Sequence, residues 1–512
     1  MFLLLYCYAA AERFYFLQNE GDTMKYSIAC NWDPELLENL GKEPSQVDTL
    51  FGQITDDPVG GGRGSFLAPK GSRAQAVEFI AAARKRGFHF NYLLNGACQD
   101  NLEMTREGNR ALFSHIEWVV STGADMVTVT LPILLVWIKR HFPHLKVAVS
   151  SWARVANVKR AKYWEDLGAD EIILAESATR DFAALRGLRK ALRCKLEVIA
   201  NPSCLYLCHL DTNHINMMSH SSQGGHVSGG FVLDHCQVYC QRMKLANPDE
   251  LLKARWVRPE DVGDYEDLGI DSLKLLERFR NTESLTQVAR AYEQRRFDGN
   301  FIELLTLPRK NAYNQPNLEY LIRPDLVNVD MMMQMADIFG YSFSDVMQID
   351  NRALDGFAAH FKTHDCYHSS CGECGYCKRW ADKVAKIDEG KRGAILAKFD
   401  AFIEAIAGRQ TLTENDLPDI SGVLLGPEAE RVLKSLMAFV PPPLAEIARV
   451  KTIGGAAQIA AQGGTAAGAD GNPGAREIAL SFWMGTPEPS REPVRKALEQ
   501  LGLWRHVSAV KK

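Results

Sequence analysis

Residues 147–179 read "VAVSSWARVANVKRAKYWEDLGADEIILAESAT", and their pattern decides the fold. The stretch opens and closes on short, continuous apolar runs, as strands buried on both faces do. Between them, "VANVKRAKYWEDLG" (155–168) has helical periodicity and ends in Gly168, the residue favoured where a helix stops. Strand, helix and strand in succession specify a parallel βαβ unit.

The same alternation extends in both directions. Strands are expected at "YSIAC" (26–30), "VDTLFGQI" (47–54), "FHFNYLLN" (88–95), "DMVTVTL" (125–131), "KVAVSS" (146–151), "DEIILAE" (170–176), "LEVIAN" (196–201) and "DSLKLL" (271–276). Helical patterns such as "RAQAVEFIAAARKRG" and "EGNRALFSHIEWVVSTG" separate them. Eight strands alternating with helices predict an α/β chain folded as an eight-stranded (β/α) TIM-like barrel over residues 24–300. A doubly wound open sheet is the alternative. It is disfavoured because no Gly-rich dinucleotide fingerprint follows the first strand. "VGGGRG" (59–64) follows the second strand and reads as a flexible loop, with an anion cradle as the other reading.

The chain has 512 residues, 46% of them hydrophobic and 24% charged, with 59 basic and 63 acidic residues. This is ample apolar material for a large core. The near balance of charge gives no argument for bulk nucleic-acid binding. Residues 1–23 are apolar but have no basic start, and are read as an N-terminal extension rather than a signal peptide. No run elsewhere is long enough to span a membrane, and a cytoplasmic location is expected. Beyond the barrel we expect a Cys-rich extension (301–400) and a helical region (401–453). A Gly/Ala-rich linker (454–474) and a C-terminal helix (475–512) follow. The extension is mainly helical.

Twelve cysteines are too few for a disulfide scaffold at this length, but eight of them fall in two groups. Clustering of this kind points to metal. Cys204, Cys208, Cys236 and Cys240 form C-x3-C pairs separated by 27 residues, in the long connection 202–269 between the seventh and eighth strands. In a barrel, that connection opens on the active-site face. Four thiolates satisfy either zinc or a 4Fe–4S cluster, and spacing leaves iron–sulfur, zinc and no metal open, in that order of preference. His209, His214 and His220 are alternative ligands, expected instead to contact backbone or substrate. The second group, Cys366, Cys371, Cys374 and Cys377, reads C-x4-C-x2-C-x2-C. It predicts a second metal site, iron–sulfur with zinc as the alternative, flanked by His364 and His368.

From about residue 120 to 300 the sequence resembles the collagenase-like peptidase family, peptidase family U32. The resemblance is carried by Ser150, Ser151, Asn157, Trp164, Gly168 and Glu176 in the opening stretch, and by "LEVIANPSCLYLC". It is carried also by "HCQVYCQR" and "GIDSLKLLERFRNTESLTQVARAYEQ". It implies a barrel whose four cysteines hold a 4Fe–4S cluster. It also implies one of two activities: peptidase, chiefly collagenase-like, or oxygen-independent hydroxylation of RNA bases or a quinone precursor, with prephenate as oxygen donor. The first cysteine pair is closer together than in the family pattern. The acidic residue of its "KIEGR" element falls one position late, at Glu277, which would turn it to the opposite face of a strand.

The residues themselves favour the redox activity. There is no G-x-S-x-G, no H-E-x-x-H and no papain-like cysteine context to supply a nucleophile or a metal-bound water. Candidate catalytic residues are Glu176, Asn201, Lys274 and Arg278, with Asn95 and Ser151 also at strand C-terminal ends. Lys274 and Arg278 are expected to hold a carboxylate. The expected function is an iron–sulfur protein that catalyses or supports oxygen-independent hydroxylation or redox chemistry on a small aromatic or nucleobase-like substrate. An electron donor and a partner protein of the same family are implied. A collagenase-like peptidase and a non-catalytic partner subunit are the alternatives.

Overall fold

The computed structural model describes residues 23–41, 46–408, 417–462, 472–487 and 490–508. The expected N-terminal extension therefore lies, up to residue 22, outside the described residues. Two compact units emerge: the chain up to Asn317 together with Ser342–Arg392, and Leu318–Tyr341 together with the chain from Gly393 onward.

The first unit holds a closed barrel of eight parallel strands in sequential order, which excludes the open sheet. The strands are β1 (Lys25–Ala29), β2 (Val47–Gly52), β3 (His89–Leu94), β4 (Met126–Val129), β5 (Lys146–Val149), β6 (Glu171–Ile173), β7 (Lys195–Ile199) and β8 (Ser272–Leu275). β8 closes on β1 in the register Ser27 opposite Lys274. In the opening stretch, Asn157 caps the helix Val158–Asp166 by accepting from the Arg160 amide. Gly168 then turns the chain back toward β6 at φ +106°, a conformation that strongly favours glycine.

The barrel interior is partly polar. Ser27 donates to Glu197 at 2.5 Å, and Lys274 Nζ lies 3.2 Å from the other Glu197 oxygen and 3.7 Å above the Phe51 ring. Glu171 is opposite Lys195 on the neighbouring strand, and two residues further along β6 Ile173 packs with Ala148 and Ile199. Burial first, and then the Glu197 charge, push the Glu171 carboxyl up to about 8. A carboxyl raised in this way holds its proton in the folded state. Its contribution to stability is full below the ordinary value of 4.5 and is lost as pH rises toward 8. Glu171→Gln should therefore match the parent near pH 4. At pH 8 it should be more stable by about 2–4 kcal/mol, one pKa unit being worth about 1.4 kcal/mol. Urea denaturation at the two pH values checks this.

The β7–β8 connection carries four α-helices among the described residues, Asp211–His220, His235–Ala246, Asp249–Lys253 and the short Gly263–Glu266. The Cys-rich segment is not a separate extension over 301–400. Residues 342–392 belong to the barrel's unit, in which Met347–Ile349 pairs antiparallel with Ala385–Ile387, while 318–341 belong to the other. Packing between distant segments, invisible to composition, sets this division.

The second unit is helical. Val432, Leu436, Ile453, Ala456, Ile478, Phe482, Val494 and Leu498 form its core. The expected linker at 454–474 is a helix as far as Gln462, and 463–471 lie outside the described residues. Its glycines serve close packing rather than flexibility. A Cβ on Gly454 would stand 2.3 Å from Pro418, and one on Gly455 2.5 Å from Ser481. The expected single C-terminal helix is three, Ala475–Gly485, Arg491–Gln500 and Trp504–Val507. Gly454→Val should destabilise this unit by about 1–3 kcal/mol through overpacking. Gly422→Ala, whose added Cβ meets nothing within 4 Å, should leave the thermal transition in place. Differential scanning calorimetry reads both.

Candidate active site

The C-terminal ends of the barrel strands gather the polar groups, as in other barrels of this type. Glu176 follows β6 and accepts from Arg154 at 2.7 Å, with Ser151 Oγ at 3.5 Å. Arg154 reaches onward to Asp211 at 2.9 Å, tying the mouth to the first helix of the β7–β8 connection. Across the mouth, Glu277 receives Arg63 Nε at 2.7 Å in a two-pronged pair. Burial works to raise the Glu277 carboxyl, but Arg63, Arg278 and Arg280 outweigh it and hold it below the usual range. Burial and the neighbouring Arg63 pull the Arg278 guanidinium down to about 10.

Several buried polar atoms here have no hydrogen-bond partner: Arg278 Nη1, Arg154 Nε, Gln53 Oε1 and Asn95 Oδ1. Buried polar atoms are nearly always paired, so such a concentration marks a place for a polar ligand. Gly61, in the "VGGGRG" loop, makes the opening. A Cβ there would lie 1.8 Å from Gln53 Oε1 and 2.9 Å from Asn95 Oδ1. The loop is fixed rather than flexible, because the Gly61 amide donates to Ser222 at 2.8 Å and Asp57 accepts from the Val59 and Gly60 amides.

The first cysteine group lies at this mouth. Cys204 is within the electrostatic reach of Glu176, Arg154, Lys244 and Cys240, and Cys208 of Cys236 and Cys240. Asp234 caps the helix that bears Cys236 and Cys240 by accepting from the Gln237 amide at 2.8 Å. Asn213 Nδ2 stands 3.3 Å from Cys236 Sγ, and Lys244 is 1% exposed. The protein around Cys204, which itself opens to solvent, and the Glu176 carboxylate push its thiol up. Burial chiefly does the same to Cys208 and Cys236. Thiols held protonated in this way become thiolates when a cationic metal centre supplies the charge. Among the described residues, no three of these sulfurs lie within 4.8 Å of one another. Four thiolates satisfy either a zinc ion or a 4Fe–4S cluster.

Of the sequence candidates, Glu176 and Arg278 are at the mouth and the other two are committed elsewhere. Asn201 donates to the Leu276 and Leu304 carbonyls at 2.8 and 2.9 Å and accepts from the Leu276 amide. Its side chain is thus a brace between the ends of β7 and β8. Lys274 is inside the barrel on Glu197. His214 pairs with Asp234 at 3.0 Å rather than with a cysteine. The sequence reading missed Gln53, Arg63, Arg154 and Lys244, none of which stands in a motif. It also missed Cys98 and Asp100, whose ligand atoms lie within 4.8 Å of one another and of His220, which was expected beside the cysteines instead, with His226 Nε2 3.0 Å from Asp100.

Residues 72–299 match the model of peptidase family U32, a span that contains all four cysteines of the first group and most of the mouth. Over this span, somewhat under half of the chain, the sequence is similar to peptidase family U32. An uncharacterized protease of Methanocaldococcus jannaschii, MJ1657, is similar: 28% identity over 354 residues, covering 68% of this chain and 91% of that one. Among solved structures, the U32 peptidase Mk0906 is similar at 20% identity and a TM-score of 0.39, over 50% of this chain and 93% of that one. The YdjI aldolase of Escherichia coli K12 is similar at 12% identity and a TM-score of 0.25, over 48% and 92%. Among the described residues, no helix is long and apolar enough to cross a membrane.

Proposed function

We propose that this chain is an iron–sulfur enzyme of the U32 type. In this reading its barrel mouth carries out an oxygen-independent hydroxylation or related redox reaction on a small aromatic or nucleobase-like substrate. The observation that carries the reading is the convergence of Cys204, Cys208, Cys236 and Cys240 beside a mouth rich in unpaired buried polar atoms. A 4Fe–4S cluster held by these thiolates would supply one-electron chemistry.

The chain's own residues do the rest. Arg278, with a buried and unpaired Nη1, offers a planar fork to a carboxylate on the substrate or the oxygen donor. The Gln53 and Asn95 oxygens accept from N–H groups on a base edge. Glu176, oriented by Arg154 and within electrostatic reach of Cys204, offers a proton acceptor at the mouth. Asn213 donates toward the Cys236 sulfur, a contact of the kind that orients and tunes a metal ligand.

A second reading, a collagenase-like peptidase, is favoured by one observation. Cys98, Asp100 and His220 are close enough to share one metal ion, which would activate a water for hydrolysis. Nucleoside mass spectrometry separates the two. Cells grown without oxygen and expressing the chain should contain a base or small aromatic metabolite heavier by one oxygen atom, absent from cells lacking it. Gelatin cleavage by protein stripped of iron, with no such product, would support the peptidase instead.

A further inference from the structure

The second cysteine group is drawn together by the fold. Cys366, Cys371, Cys374 and Cys377 line one hollow with His360, His364, Phe361 and Tyr376. Cys371 and Cys374 sit one turn apart on a short helix, and Gly375, at φ +59°, reverses the chain into the helix Tyr376–Val384 that carries Cys377.

Beside this hollow are two buried cations. Arg180 is 3% exposed and Arg255 5%. Arg180 Nε and Nη2 and Arg255 Nε have no hydrogen-bond partner, and among the described residues neither guanidinium pairs with a carboxylate. Both lie over Phe361 of the hollow, with ring centres 4.8 and 5.5 Å away. Burial, and then Arg255, pull Arg180 down to about 9, while Cys377 and Cys366 act in the opposite sense. Two unpaired buried cations are strongly unfavourable unless an anion faces them. Cys377, in the lining of the hollow, feels both arginines, and Cys366 feels Arg180.

Among the described residues, the ligand atoms of this hollow that lie within 4.8 Å of one another are those of His360, His364 and Cys374, so a single zinc on those three is the competing occupant. A 4Fe–4S cube uses all four thiolates and then has a net charge of about −2, matched in size by the two guanidinium charges. Phe357, Phe361, Tyr376 and Trp380 form one aromatic cluster, of which Phe361 and Tyr376 line the hollow. Tyr206, between Cys204 and Cys208 in the chain, stacks on Arg255 at 3.7 Å and feels Cys366, so the two cysteine groups are neighbours.

We propose that Cys366, Cys371, Cys374 and Cys377 hold a second 4Fe–4S cluster whose negative charge Arg180 and Arg255 balance. The test is iron, acid-labile sulfide and zinc per chain after anaerobic isolation of three proteins: the parent, Cys371→Ser/Cys374→Ser, and Cys236→Ala. The expected irons are about eight, four and four, with equal sulfide, since each cube holds four. Counts of about four, none and four would uphold this site while removing the barrel cluster. Unchanged iron in the Cys371/Cys374 variant overturns the proposal. So does one zinc per chain lost with that substitution, which would place a single ion on His360, His364 and Cys374, whose ligand atoms lie within 4.8 Å. Arg255→Gln guards against misfolding of the cysteine variant. In an EPR-monitored redox titration it should move one of the two reduced signals to lower potential and leave the other in place. Two unmoved signals overturn the proposal as well.

Discussion

Replacing Cys236 with alanine should bleach the visible absorbance of the barrel cluster and abolish oxygen-independent turnover, while the barrel stays folded. Cys236 is 1% exposed and sits in the first turn of the helix His235–Ala246. That helix is started by Asp234, which is itself fixed by His214 at 3.0 Å. The thiol is therefore presented by a capped and anchored element, and its removal deletes one ligand without disturbing the cap. Asn213→Ala tests the surrounding shell. It should keep the cluster but weaken its retention by about 10–100-fold, the usual effect of losing a partner to a metal ligand. Optical spectra during anaerobic chelator challenge read both changes. A Cys236→Ala protein with parental absorbance and turnover would contradict the assignment.

Lys274→Ala should lower stability by about 3–5 kcal/mol, because it leaves the buried Glu197 charge without its partner. The two side chains are 7% and 2% exposed, 3.2 Å apart and inside a closed barrel. Glu171 close by is held toward neutrality, first by burial and then by the Glu197 charge. Adding Glu197→Gln to Lys274→Met should recover most of the loss, as apolar or neutral replacement of both partners often does. Urea denaturation measures the series. A Lys274→Ala loss below about 1 kcal/mol, the level of an exposed ion pair, together with loss of turnover would return Lys274 to the catalytic site.

The barrel was legible because strands covered on both faces are continuous apolar runs, and because Gly87, Gly123 and Gly168 close their helices at positive φ. The first cysteine group was legible from its place after β7. The roles of Asn201 and Lys274 were not. Their position near strand ends is visible, but Lys274's partner Glu197 is 77 residues away in the chain, and only barrel closure makes them neighbours. Arg63 sits in a glycine-rich loop with no local pattern to mark it, and it becomes part of the mouth because Glu277, 214 residues later, meets it. The helix through Gly454 was hidden by composition. Glycine and alanine read as flexibility, whereas here they let Pro418 and Ser481 approach. The two interleaved units depend on contacts between segments far apart in sequence, which no local signal records.

The most direct test of the central claim is elemental analysis of the full chain isolated without oxygen. The account predicts iron and acid-labile sulfide in equal amounts, at least about four of each per chain, with the iron falling by about four in Cys236→Ala. Zinc without sulfide, or iron content indifferent to Cys236, would contradict it.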